Sequence, residues 1–158
     1  MFSQKIFSKR FSALRRGAKL SQCQMAKILG ITQAAISKIE TGERAASIEV
    51  LCDLADYFNV PMDYLTGRGL YQNWDEIMQY KDTILQVLES QNQAFAQLQI
   101  HNFTEQQLIH FLPAVLARVE IKDNTVKIAP LILSDEDSPM QITITSKNET
   151  EYENAVKS

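Results

Sequence analysis

The sequence predicts a mainly α chain: helices through residues 1–68, more helix over 74–122, and a short β-prone appendage over 123–158. Three observations predict it. Apolar residues recur at spacings of three and four through the first two thirds of the chain, the period of a helix buried on one side. Serine, threonine and glycine stand where such helices start and stop. From Asp123 on, TVKIAPLIL and MQITITS are rich in β-branched residues on either side of an acidic, proline-bearing SDEDSPM, the pattern of short strands.

The first helix is basic: Lys5, Lys9, Arg10, Arg15, Arg16 and Lys19 face no acid. Ser21 and Gln24 then form an S-x-x-Q capping box opening a second helix, whose apolar face is Met25, Ala26, Ile28 and Leu29. Gly30 ends it with the left-handed backbone a sharp turn needs. Ile31 is placed to wedge between the helices, and Thr32 caps a third helix that turns Ala35, Ile36 and Ile39 inward and stops at Gly42. Two short helices so joined have the spacing of a helix-turn-helix, a motif that sets its second helix in the DNA major groove. The inward face leaves Gln33, Ala34, Ser37 and Lys38 pointing out. In such a groove a glutamine pairs with adenine, a lysine with guanine, and an alanine methyl meets thymine. On a short helix without the motif, the same residues would be simply solvated. A fourth helix, Ile48 to Phe58, is opened by Ser47 and carries Val50, Leu51, Leu54, Ala55 and Phe58 inward, and Pro61 suits the start of a fifth.

The run FSALRRGAKLSQCQMAKILGITQAAISKIETGE, the fourth helix and the ending NVPMDYLTGR resemble the phage-repressor and Cro-like (XRE-type) helix-turn-helix family over roughly residues 7–68. That resemblance implies a compact five-helix repressor-like domain and double-stranded DNA as partner. It implies phosphate contacts at Gln22 and Thr32, base reading at Gln33, Ala34, Ser37 and Lys38, and flanking backbone contacts at Thr41 and Arg44. Glu43 departs from the basic residue often found there. Glu40 is expected to bond within the domain or cap a neighbouring helix rather than read DNA. The implied activity is transcriptional regulation, with repression at an inverted-repeat operator bound by a dimer. Relatives with a self-cleaving peptidase domain use a serine and lysine pair; no serine here sits in such a context, so no enzyme activity is expected.

Charge divides by region. Residues 1–70 hold ten Lys and Arg against six Asp and Glu, net +4, whereas residues 71–158 hold six against thirteen, net −7. A basic first helix would lie along phosphates through Arg10, Arg15, Arg16 and Lys19 and add sequence-blind affinity. A solvated basic face is the plainer alternative.

Residues 69–73, within TGRGLYQN, are expected as a hinge. Beyond them the apolar pattern predicts one long helix from about Trp74 to Gln99, then a second opened by the Thr104/Gln107 capping box and interrupted by Pro113, which kinks it or restarts it through Ala114 to Val119. Heptad spacing puts Ile77, Ile84, Gln91 and Leu98 at one core position. The expected element is a helical homodimerisation region using Ile77, Ile84, Val87, Leu88, Phe95, Leu98, Phe111 and Leu112, with higher oligomers open; an intramolecular core is the alternative. The polar ending NETEYENAVKS is expected to be loose.

Several classes are set aside. No apolar run approaches 20 residues, and MFSQKIFSKRF lacks the apolar core of a signal peptide, so a cytoplasmic protein is expected, with no membrane partner. Cys23 and Cys52 lack CxxC spacing, and His101 and His110 lack partners at ligand spacing, so neither metal nor cofactor is expected. A regulator protein or ligand acting on the C-terminal half is a further possible partner, as for an antitoxin or antagonist-controlled module.

Overall fold

The computed structural model of the protein describes residues 2–123 and 125–131 and the backbone of Ile142–Thr145. It divides into two compact units, Met1–Gln72 and Asn73–Ser158.

The first unit contains α1 (Gln4–Gly17), α2 (Gln22–Leu29), α3 (Gln33–Thr41), α4 (Ile48–Phe58) and α5 (Met62–Thr66). Their boundaries follow from local chemistry. Ser3, Ser21, Thr32 and Ser47 each accept a backbone N–H of the first turn, and Ser21 and Gln24 complete a reciprocal capping box. Each of these bonds satisfies a donor that the helix itself leaves orphaned. Gly30 closes α2 at φ +64 and so allows Thr32, two residues later, to cap α3. The core is built on Phe7 and Phe11, whose rings lie 6.1 Å apart, with Met25, Ile36, Leu54 and Leu65 closing over them. Burying each of these side chains stabilises the unit by about 1.5–3 kcal/mol before entropy is counted. Ile28, expected inward, is 43% exposed. In an eight-residue helix its position lies beyond the stripe that Met25, Ala26 and Leu29 bury.

Residues 69–73, expected as a hinge, form a 3-10 segment, Gly69–Asn73, and the boundary between the two units falls within it. Tyr71 is buried there and meets Tyr64 edge to face at 5.7 Å, which ties the segment to α5.

In the second unit the single long helix is replaced by α6 (Trp74–Gln79), α7 (Lys81–Gln91) and α8 (Gln93–Leu98). Tyr80 leaves helical geometry between the first two. Asn92 is extended, with φ −138°, and its side chain accepts from the Ala94 N–H, so it caps α8 instead of continuing α7. A 3-10 turn, Ile100–Asn102, follows, pinned by the Glu89 carboxylate to the His101 N–H at 3.0 Å and Nδ1 at 2.7 Å. The Thr104/Gln107 capping box then opens α9 (Glu105–Val115).

Pro113 neither ends α9 at once nor restarts it. The helix runs two residues on, and the chain passes directly into β1 (Leu116–Lys122) where helix was expected. Strand β1 pairs antiparallel with β2 (Thr125–Pro130), and β2 pairs antiparallel with β3 (Ile142–Thr145), in the order β1-β2-β3. The two expected strands are therefore neighbours, joined by a third from the supposedly helical region, so 74–122 and 123–158 are not separate parts. Val126 and Ile128 are buried and stand opposite Ile121 and Val119 on one side and Ile144 and Ile142 on the other. They share a core with Trp74, Ile77, Ile84, Leu85, Leu108, Leu112 and Val115. SDEDSPM and NETEYENAVKS lie outside the described residues.

Candidate nucleic-acid interface

Helix α3 is held by bonds at both ends. At its start the Thr32 hydroxyl accepts the Ala35 N–H at 3.1 Å, and the Ile31 N–H bonds back to the Ala26 carbonyl of α2 at 3.0 Å. At its end the Ser8 hydroxyl of α1 donates to the Ile39 carbonyl at 2.6 Å. With Ala35, Ile36 and Ile39 buried, the opposite face is set: Gln33, Ala34 and Lys38 are exposed and Ser37 is half-buried. These four side chains lie near the N-terminal end of one short helix, a geometry that reaches base edges in a major groove.

Around this face stand the residues expected at the backbone. Thr32 is exposed at the cap. Thr41 is exposed, its hydroxyl near the Lys38 carbonyl (3.2 Å) and the Glu43 carboxylate (3.1 Å). Arg44 presents its side chain to solvent while its carbonyl accepts from the Gln4 amide at 2.8 Å, which fixes the loop against α1. Arg16 and Lys19 are exposed; Gln22 is half-buried.

Arg10 and Arg15 are corrections to the expected row of phosphate contacts. Arg10 is only 5% exposed. Its guanidinium donates to the Tyr64 carbonyl and, at 2.5 Å, to the Tyr71 carbonyl, and it sits 4.7 Å from the centre of the Tyr64 ring. It joins α1 to α5 and the 3-10 segment. Arg15 is buried as well, and its fork meets the Glu40 carboxylate at 2.5 and 3.0 Å while Nη1 donates to the Leu20 carbonyl at 2.6 Å. The side chains of this pair are 9% and 7% exposed. Their spacing could have shown it: Phe7, Phe11 and Arg15 follow one another at intervals of four, and Arg10 lies three after Phe7, so both arginines share the apolar face.

The ion pair extends toward the recognition face. The Gln22 amide donates to Glu40 at 2.9 Å, and the Gln33 amide donates to Gln22 at 3.1 Å. Burial alone would push the Glu40 carboxyl up, but the bonds from Arg15 and Gln22 outweigh it and hold the group below the usual carboxylate value. The Arg15 guanidinium is correspondingly raised by its hydrogen bond to Glu40. Glu40 thus bonds within the domain, and the link onward to Gln22 and Gln33 is what sequence reading missed.

The expected dimer seam is not available as one surface. Ile77, Ile84, Val87, Leu88 and Leu112 are buried inside the chain's own second unit, as in the intramolecular alternative. Phe95 and Phe111 are half-buried and meet edge to face at 5.4 Å, and Leu98 is 59% exposed. Among the described residues, no group of three His, Cys, Asp or Glu side chains gathers that could hold a metal. No described helix is long and apolar enough to cross a membrane.

The family match to known proteins falls within the first unit. Residues 12–65 match the helix-turn-helix family. Over 87 residues the chain is 30% identical to the cryptic phage CTXphi transcriptional repressor RstR of Vibrio cholerae, covering 55% of this chain and 78% of that protein. Among solved structures, the P22 c2 repressor in complex with a synthetic operator is 30% identical, covers 38% of this chain and 91% of that one, and has a TM-score of 0.37. The restriction-modification controller protein C.AhdI from Aeromonas hydrophila is 26% identical over 39% of this chain and 94% of that one, also at 0.37. The chain belongs to the helix-turn-helix family of DNA-binding transcriptional regulators that includes phage repressors, a family of regulators and not of enzymes.

Proposed function

We propose that the protein is a sequence-specific repressor that binds an inverted-repeat operator as a homodimer. The observation that carries this reading is the outward face of α3, where Gln33, Ala34, Ser37 and Lys38 stand clear of a core that fixes the helix from both ends. Gln22, Thr32, Thr41 and Arg44 frame that face, and Arg16 and Lys19 extend it with cations; these are the phosphate contacts. One short helix sees only a few base pairs, so two copies related by a two-fold axis double the contacts. Their half-sites would then lie about 34 Å apart or at a multiple of that distance. Phe95, Leu98 and Phe111 are the apolar side chains left for pairing once the buried seam is excluded.

The test is selection of the full chain against randomised duplexes at near-physiological salt. An inverted-repeat consensus is expected. Gln33→Ala should then erase preference at one base position, a loss of about 1–3 kcal/mol of discrimination, while Arg16→Ala should weaken all sequences alike and lower the salt slope by about 1. Equal loss on every sequence from Gln33→Ala would remove that residue from the reading face. Leu98→Asp should convert the dimer to monomer in sedimentation without shifting the thermal transition; an unchanged mass would exclude this surface from dimerisation.

A further inference from the structure

We propose that Glu40 is a positioning residue for sequence reading, because its carboxylate fixes which way round the amides of Gln22 and Gln33 are presented to DNA. This rests on the reading of Gln33 as a base contact. An amide side chain has a donor end and an acceptor end of nearly equal size, so a glutamine on an open surface flips between two presentations. Here the chemistry removes one of them. An ionised carboxylate only accepts hydrogen bonds. Glu40 is kept ionised in a partly buried place by Arg15, whose Nε and Nη2 bond to its two oxygens at 2.5 and 3.0 Å. The Gln22 group facing Oε2 of Glu40 at 2.9 Å must therefore be its NH2, which turns the Gln22 oxygen toward Gln33. That oxygen in turn accepts only from the NH2 of Gln33, at 3.1 Å. Two successive bonds thus transmit one fixed polarity from the core ion pair to an exposed side chain.

The consequence is a defined order of acceptor and donor at the DNA surface. Gln33 keeps its carbonyl oxygen and one N–H for a base edge. Adenine, which offers an N6 donor beside an N7 acceptor, requires both in that order. A Gln33 released from Gln22 would present either order, and would also offer two N–H groups to the paired acceptors of guanine. Glu40 thereby sharpens discrimination at one base pair without touching DNA.

The experiment uses the full chain and the duplex consensus that it selects. Gln33→Ala first identifies the position it reads. Glu40→Gln and, separately, Gln22→Leu are then compared with the unaltered protein on duplexes carrying each of the four base pairs at every position, with folding checked by circular dichroism. Both variants should lower the preference at the Gln33 position by about fivefold or more, the low end of what one bidentate contact discriminates, and leave the other positions unchanged. Gln22→Leu should also weaken every sequence together, since it removes a phosphate contact, and that uniform loss does not alter the ratio being read. Intact preference at the Gln33 position in either variant overturns the proposal while leaving the base contact standing. If Gln33→Ala shifts no position, or the full chain selects no consensus, the base contact itself falls and the proposal falls with it. Should Glu40→Gln fail to fold, intact preference in Gln22→Leu still overturns the proposal, because that variant cuts the chain of bonds to Gln33 while the Arg15–Glu40 pair is untouched.

Discussion

Replacing Arg10 by methionine should unfold the DNA-binding unit before it weakens any DNA contact. Methionine matches the aliphatic stem in length and removes the guanidinium, so the change isolates its bonds from its bulk. Two carbonyls, of Tyr64 and Tyr71, lose their Arg10 donor. Each hydrogen bond from a charged donor contributes about 1.5–3 kcal/mol, and the Tyr64 carbonyl keeps the Gly67 N–H at 3.3 Å among its backbone donors. The guanidinium over the Tyr64 ring adds roughly 1–2 kcal/mol in a desolvated setting. Part is returned because a buried cation no longer has to be desolvated, and a net loss of about 3 kcal/mol follows. For a unit of this size that corresponds to a fall of about 12–24 °C in the midpoint. Peptide-resolved hydrogen exchange on the full chain is the suitable assay, since it separates the two units. Protection across α1, α5 and the 3-10 segment should fall roughly a hundredfold, with Asn73 onward unchanged. Arg16→Met, six residues away on the exposed side, should leave exchange as it was and lower DNA affinity instead. If Arg10→Met retained full protection and lost affinity on all sequences, Arg10 would be a phosphate ligand and its burial would be irrelevant to stability.

Two further outcomes follow from the first unit. The folded-state pKa of Glu40 lies below its ordinary value of 4.5, so its contribution is present above 4.5 and lost as pH falls through the lower folded value; Glu40→Gln should flatten that acid limb in urea unfolding measured across pH, and an unchanged limb would assign the acid sensitivity elsewhere. Gly67→Ala should cost about 2–4 kcal/mol, because φ is +68 and an added Cβ would stand 2.8 Å from Cγ2 of Ile6; a thermal midpoint within a degree of the original would show that α5 shifts freely.

The first unit was legible because its signals are local. A capping hydroxyl, a left-handed glycine and a stripe of apolar residues each act within about four positions, and Ser21, Gly30, Thr32 and Gly42 all do in the structure what their spacing implied. The fate of a cation is not local. Arg15 differs from Arg16 only in which way it faces, and what makes burial tolerable is Glu40, 25 residues on. The second unit was legible in part. Its apolar residues are core residues, but heptad counting presumed a continuous helix, and Asn92 and Tyr80 break it. β1 was missed because the irregularity between Leu116 and Arg118 disturbs its alternation, and because helix was carried past Pro113. The signal lay in the next turn. Asp-Asn between the β-branched runs VEI and TVKI is a hairpin signal in the sequence, and Asp123 takes a positive φ of +49 just after Lys122, which pairs with Thr125.

The chain's one tryptophan is the first residue of α6, fully enclosed, with its indole N–H donating to Glu105 of α9 at 3.2 Å. The DNA-binding unit has tyrosines but no indole. Emission excited at the red edge of the absorption band therefore comes from the second unit alone, and any small molecule or protein that rearranges α6 against α9 would report itself as a change in that emission. Excited at that wavelength, operator binding confined to the first unit would leave the spectrum still. A single ring thus allows the two halves of the molecule to be watched separately without a label.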